Sequence, residues 1–251
     1  MAPMDLSTRG LVLREVNYKE SDKILTILTE DAGKLTVSAR GARKKMGKYT
    51  ASSQLLAFSE LDLYERQGRW SLKEGRVLEL FDGLRQDILL LSIGAYFAEL
   101  LEAVSDVDYL DPGLLTLGLT GLHVLSGGTR DPKLVKAAFE LRLMCLAGYA
   151  PEVSVCLKCS AEMPTEPRLN LQGGRIHCRT HRPEGAPAGM PLDLGSLTAL
   201  RHIIRAPEGR VFAFTLGKEA TTLLTAATEA YTLAQLERGF RTLDFLRQFE
   251  L

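Results

Sequence analysis

In Leu35-Thr36-Val37-Ser38-Ala39-Arg40, apolar and polar residues alternate without a break. A period of two gives a strand one dry face and one wet face. Leu35, Val37 and Ala39 take the dry face, and Arg40 lies on the wet one. A turn signal, Asp31-Ala32-Gly33, precedes this strand. Ile24 to Leu28 and Leu11 to Val16 read as two more strands upstream. Downstream, Phe58 to Tyr64 carries Leu61 and Leu63 on one face. Gln67-Gly68 then turns the chain into a strand from about Arg69 to Leu78. Five short strands and no strong helical period predict a small barrel. An OB-type barrel fits the strand count, and an SH3-like barrel is left open by the pattern alone.

After Glu79 the period changes. Leu84, Ile88, Leu91, Ala95, Ala98 and Leu101 recur at helical spacing and predict one long helix from Asp82 to Val104. Asp111-Pro112 and Asp131-Pro132 each place a capping acid before a proline at the first helical position. Two helices are expected there, the second stopped by Gly148 and Pro151. Helices are also expected over Leu194 to Ile204 and Glu219 to Ala230. Thr232-Leu-Ala-Gln235 reads as a capping box that opens a last helix. The expected architecture is α+β: a barrel over residues 1–79, then a helical domain over 80–251 with a metal module inserted at about 153–182.

That module rests on Cys156-Leu-Lys-Cys159, answered by Cys178-Arg-Thr-His181. Two residues between ligands let one tight turn aim both side chains at a single ion, and two such turns close a tetrahedron. Gly173-Gly174 supplies the hairpin between them. Cys156, Cys159, Cys178 and His181 are therefore the expected ligands of one structural zinc ion. His177 is the alternative fourth ligand, and His181 is preferred because it repeats the spacing. With four protein ligands no position is open for catalytic water. Cys145 shares a helical stripe with Leu134, Ala138 and Leu141 and reads as a core thiol.

Charged residues are 25% and hydrophobic ones 45% of 251. That is an ordinary globular composition, with no expectation of a membrane span or an apolar leader. A reducing, cytoplasmic setting is expected, which favours metal over disulfide. The net charge of zero hides an asymmetry. Residues 1–79 hold 14 Lys/Arg against 11 Asp/Glu, and residues 80–150 hold 5 against 9. Between Asp31 and Glu60 stand Lys34, Arg40, Arg43, Lys44, Lys45 and Lys48 with no acid among them. Cations in a barrel loop, with Tyr49, Tyr64 and Trp70 nearby as stacking planes, suit a nonspecific single-strand binder. Gly41 to Lys48 approaches a phosphate-binding P-loop, but five residues separate its glycines instead of four. Tyr49 also stands where Ser or Thr should hold magnesium. No other catalytic motif is present, and no enzymatic activity is expected.

Gly10-Leu-Val-Leu-Arg14, Tyr18-Lys-Glu-Ser-Asp22, Leu28 to Lys34 and Arg40-Gly-Ala-Arg-Lys44 resemble the N-terminal signature of the RecO family. The likeness continues through Phe139 to Leu143, Gly148-Tyr-Ala-Pro151 and Cys156-Leu-Lys-Cys159. His181 stands where that pattern closes on Cys. The resemblance implies an OB-fold, a helical domain with an inserted zinc module, and a role in DNA repair and recombination. It also implies binding of single- and double-stranded DNA, strand annealing, a RecR partner, and loading of RecA on DNA coated by single-strand-binding protein. Lys34, Arg40, Arg43, Lys44, Lys45 and Lys48 are the expected DNA contacts, with Arg14 a weaker one. Arg201, Arg205, Arg238, Arg241 and Arg247 are expected to meet the acidic tail of single-strand-binding protein. The competing expectations are a zinc-ribbon adaptor that binds only protein, and a zinc enzyme with an open metal position.

Overall fold

The computed structural model describes residues 4–44, 47–107, 110–182, 184–185 and 187–249. Five strands form a closed barrel: β1 (Met4–Tyr18), β2 (Asp22–Thr29), β3 (Gly33–Ala39), β4 (Phe58–Arg66) and β5 (Arg69–Glu79). Their order around the barrel is β1-β2-β3-β5-β4, with β4 returning to β1. That five-stranded closure is the OB topology. The first strand is longer than its apolar run because it serves both neighbours. Gly10 to Tyr18 pairs with β2, and Met4 to Leu11 pairs with β4. A register shift between Val12 and Arg14 bends it between the two tasks. Only Val37↔Trp70 and Ser38↔Ser71 join β3 to β5, and they run parallel. Val12, Leu25, Ile27, Val37, Leu61 and Leu63 fill the interior.

Two helices stand where one is expected over Asp82 to Val104: α1 (Asp82–Arg85) and α2 (Ile88–Val104). Asp87 breaks the run. Its backbone is extended, and its side chain accepts from the Leu89 N–H, which starts a new helix. Then α3 (Pro112–Ser126) and α4 (Pro132–Leu146) begin at the two Asp-Pro pairs. Later come α5 (Leu194–Arg205), α6 (Lys218–Leu236) and α7 (Arg241–Leu246). Thr232 does not open a helix. It lies inside α6, fully buried, because the stripe of Leu224, Ala227, Thr228 and Tyr231 carries the packed face straight through it. The chain instead breaks at Glu237, in a left-handed conformation, before α7.

The chain forms two compact units. One spans residues up to 126 and takes the chain up again from 240; the other spans 127–239. The grouping thus differs from the change of texture at Glu79. The first unit keeps α1 to α3 with the barrel. It also recaptures α7, whose N-terminus has no cap of its own. The Glu99 carboxylate on α2 accepts from the Thr242 N–H at 3.0 Å and supplies that cap, while Phe240 meets Tyr96 edge-on.

In the second unit, Lys136 on α4 sits in a buried network. Its ammonium donates at 2.7 Å to Glu140 and at 2.7 Å to Glu229 on α6, and the Thr228 hydroxyl donates to Glu140. Burial pushes the Glu140 carboxyl up against the pull of Lys136. Removing the cation alone would leave a buried, uncompensated acid. Lys136→Met is therefore expected to cost about 3–5 kcal/mol. Lys136→Met combined with Glu140→Leu should recover much of that loss in urea denaturation. Equal stability of Lys136→Met and wild type would refute this account.

Candidate metal centre and nucleic-acid surface

Between α4 and α5 lies a small sheet of β6 (Pro167–Asn170), β7 (Arg175–Cys178) and β8 (Met190–Pro191), in the order β7-β6-β8. Met190 and Pro191 are paired with Leu169 and Arg168 of β6. Gly174 turns the hairpin at φ +59°, and a Cβ there would stand 2.7 Å from the Tyr231 hydroxyl. Glycine is required on both counts. The hairpin delivers Cys178 at the end of β7, and a single 3-10 turn over Arg179–His181 brings His181 back.

On the other side, the Cys156 to Cys159 knuckle is closed by its own backbone. The Ser160 N–H donates to the Cys156 carbonyl at 2.9 Å, and the Leu157 N–H donates to Ile176 O on β7 at 2.9 Å. A guanidinium fixes the loop from outside. Arg201, on α5, donates to the carbonyls of Val153 at 2.8 Å, Ser154 at 2.7 Å and Glu162 at 2.5 Å. Sequence reading places Arg201 on a partner surface. The structure spends its donors on these three carbonyls.

The ligand atoms of Cys156, Cys159, Cys178 and His181 all lie within 4.8 Å of one another. Cys159 Sγ is 3.8 Å from Cys178 Sγ, and Cys156 Sγ is 3.7 Å from His181 Nδ1. A tetrahedral ion with Zn–S bonds of about 2.3 Å requires S···S edges of about 3.8 Å. The arrangement fits one tetrahedral ion. His177 is not part of it. Its Nδ1 donates to the Cys178 carbonyl at 2.9 Å, and its buried Nε2 has no partner among the described residues. Burial raises the Cys156 thiol, but N–H groups of Cys159, Cys178 and Lys158 and the His181 ring outweigh it and bring it down to about 5. Burial, together with the neighbouring Cys156 and Cys159, raises the Cys178 thiol. Several thiolates this close repel unless a cation sits among them. Cys145 is half-buried on α4, outside the cluster, with its thiol pushed up to about 11 by burial.

The basic residues of the barrel divide into two sets. Lys34, Lys48 and Arg14 are already engaged. Lys34 Nζ donates to Glu102 O at 2.8 Å, Lys48 pairs with Glu74 at 2.6 Å, and Arg14 pairs with Glu102 at 3.0 Å. Arg40, Arg43 and Lys44 are exposed and take part in no ion pair among the described residues. Lys45 lies outside the described residues. The loop after β3 is held to the β1–β2 hairpin: Asp22 Oδ1 accepts from the Gly41 N–H at 2.8 Å, and Arg43 Nη1 donates to Lys19 O at 3.1 Å. The Gly41 N–H, then the Ser21 hydroxyl and the charges of Lys19 and Arg40, hold the Asp22 carboxyl low against burial.

Past that point the loop is a chain of tight turns. Lys44, Gly47 and Thr50 N–H groups each donate to the carbonyl three residues back. Those three N–H groups are consumed and are not available to a phosphate. Of the aromatic residues read as stacking planes, Tyr49 donates its hydroxyl to Lys73 O, and Tyr49 and Trp70 pack on the barrel core. Sequence reading missed Tyr18 and Lys19 as surface groups. Tyr18 is exposed at the hairpin end, with Lys19 Nζ 5.4 Å from its ring centroid. A separate cleft is lined by Glu30, Asp31, Glu60, Asp62 and Glu74 together with Arg9 and Arg76, which pair with Glu30 and Glu60, so another part of the barrel is acidic only on balance.

Residues 1–81 match the family described as Recombination protein O N terminal, and residues 85–244 match Recombination protein O C terminal. The protein named DNA repair protein RecO in Acetivibrio thermocellus is 29% identical over 245 residues, 98% of this chain and 97% of the relative. Its namesake in Heliobacterium modesticaldum is 35% identical over 204 residues, 78% of this chain and 72% of the relative. That of Exiguobacterium sibiricum is 39% identical over 176 residues, 70% of each chain.

The cluster geometry predicts one bound metal ion per chain. Cys178→Ser is expected to lose that ion and loosen residues 153–182, read as elemental content and as amide exchange in that segment. A purified wild-type chain with no bound ion would overturn the assignment.

Proposed function

The chain belongs to the RecO family, and from that premise we propose that it is a DNA repair protein, a DNA-binding recombination mediator that performs no covalent chemistry. It binds single- and double-stranded DNA and anneals complementary strands. With a RecR partner it helps place RecA on strands coated by single-strand-binding protein. The observation that carries the DNA reading is the barrel end where Lys19, Arg40, Arg43 and Lys44 lie together without an ion pair among the described residues. Two strands repel through their phosphates. A protein that replaces condensed counterions with fixed cations lowers that barrier and can hold one strand while another pairs with it. Lys34, Lys48 and Arg14 would each have to leave a present partner to join. The acidic cleft restricts nucleic acid to the basic end.

The metal in this reading is one structural zinc, held by Cys156, Cys159, Cys178 and His181. Structural zinc supplies about 10–16 kcal/mol to the folding of small modules. Arg201 is committed to the knuckle loop, and Arg247 pairs with Asp244 at 3.6 Å. Arg205, Arg238, Arg241 and Arg247 are exposed and are the arginines proposed to meet the acidic tail of single-strand-binding protein. No described helix is long and apolar enough to cross a membrane. The proposed setting is the cytoplasm, at the nucleoid.

The loop gives the direct test. Each phosphate contact on a single strand contributes about −0.7 to the log–log salt slope of affinity. Replacing Arg40, Arg43, Lys44 and Lys45 together with Ala should flatten the slope by about 3, with no preference among base sequences. Wild-type affinity and slope in that variant would remove the loop from the DNA site. That outcome would move the DNA site elsewhere on the chain, whereas a wild-type chain that binds no DNA would leave a zinc-ribbon adaptor that binds only protein.

A further inference from the structure

The outer face of the barrel carries an apolar stripe that folding does not account for. Pairing aligns Tyr18 with Asp22, Val16 with Ile24, and Ile24 with Ser38, so one surface row follows another across three strands. Residues 16 and 18 share a face of β1. Leu25, Val37 and Ala39 take the opposite face of their strands and are fully buried in the barrel. Val16 is 47% exposed, Tyr18 is 48% exposed, and Ile24 is half-buried. Glu102 of α2 meets Thr26 and Arg14, one row further along.

The rim of the stripe is cationic. Lys19 lies over the Tyr18 ring, and Arg43 anchors the Lys19 backbone. Arg40 and Lys44 follow at the end of β3. An apolar centre with a basic rim suits either an acidic peptide or unpaired bases on a phosphate chain. Asp22 decides between them. It sits in the Tyr18 row, held ionised by the Gly41 N–H, with one carboxylate oxygen still free to accept. A fixed acid there repels peptide carboxylates but accepts from the N–H groups of unpaired bases, the thymine N3–H included. A ring at a hairpin tip can be covered by a base plane whatever the base is.

We propose that Tyr18, with Val16 and Ile24 beside it, is a stacking platform for unpaired nucleobases, and that this face makes the barrel prefer single strands to duplex. Bases in a duplex are already stacked on each other and cannot reach it. The inference rests on the reading that the neighbouring cations hold DNA phosphates.

The test uses the full chain, a fluorescein-labelled oligothymidylate, and a labelled duplex of equal length, titrated by anisotropy at several salt concentrations. Tyr18→Ala is expected to weaken single-strand binding by about 5- to 150-fold, the usual worth of one stacked base. Duplex affinity, salt slope and thermal melting should be unchanged, and Tyr18→Phe should bind as wild type. Unchanged single-strand affinity in Tyr18→Ala, while Arg40→Ala/Lys44→Ala flattens the slope, would overturn the platform and leave the phosphate reading standing. Equal losses on single strand and duplex would also overturn the platform, since a stacking ring has no hold on paired bases. If neither variant alters binding, both readings fail together.

Discussion

A sheet of five strands has two edges, and an open edge invites pairing with other chains. Closure of this barrel depends on β1 being long enough to pair with β2 along one half and with β4 along the other. The bend between Val12 and Arg14 lets one strand serve both. Most of what matters on this surface follows from that division. The half paired with β2 runs on to the hairpin, where Val16 and Tyr18 are exposed. The hairpin end in turn gives the loop after β3 its anchorage, through Asp22 and the Lys19 carbonyl. Position of the cations is thus a result of barrel closure, not of the loop's own sequence.

The metal module solves a different problem with different means. Between α4 and β8 there are too few apolar side chains for a core of their own: Val153, Leu169 and Ile176 are the large ones fully buried there among the described residues. Modules this small usually require a metal or disulfides. Here two backbone-closed turns and a guanidinium bound to three carbonyls hold the four donors at tetrahedral spacing. Arg201 shows how a charged residue can act by its geometry rather than its charge, since carbonyl oxygens from two stretches of loop converge on one planar fork.

The sequence made the barrel legible because Leu35 to Arg40 and its neighbours alternate cleanly, and each observed strand contains the expected one or nearly so. It under-read β1, whose first residues, among them Ser7 and Arg9, are polar and pair only at the closing seam. It also missed the break at Asp87. Helical spacing of leucines does not report that a side-chain oxygen can compete for a backbone N–H. Thr232 misled in the opposite direction: a box of Thr and Gln is also ordinary helix sequence, and the buried stripe decided the matter. The four metal donors were legible because their spacing is local. Arg201 and Tyr18 were not, since what each does depends on carbonyls and strands far away in the chain.

The β3–β5 seam has a dynamic consequence. Two residue pairs join these strands, whereas every other junction in the barrel is a ladder of seven pairs or more. Local opening follows the path of fewest lost hydrogen bonds. Amide protons that donate across the β3–β5 seam therefore exchange with solvent ahead of those in the β1–β2 ladder. The barrel breathes at one fixed seam, while the hairpin that bears Tyr18 belongs to the part that stays closed.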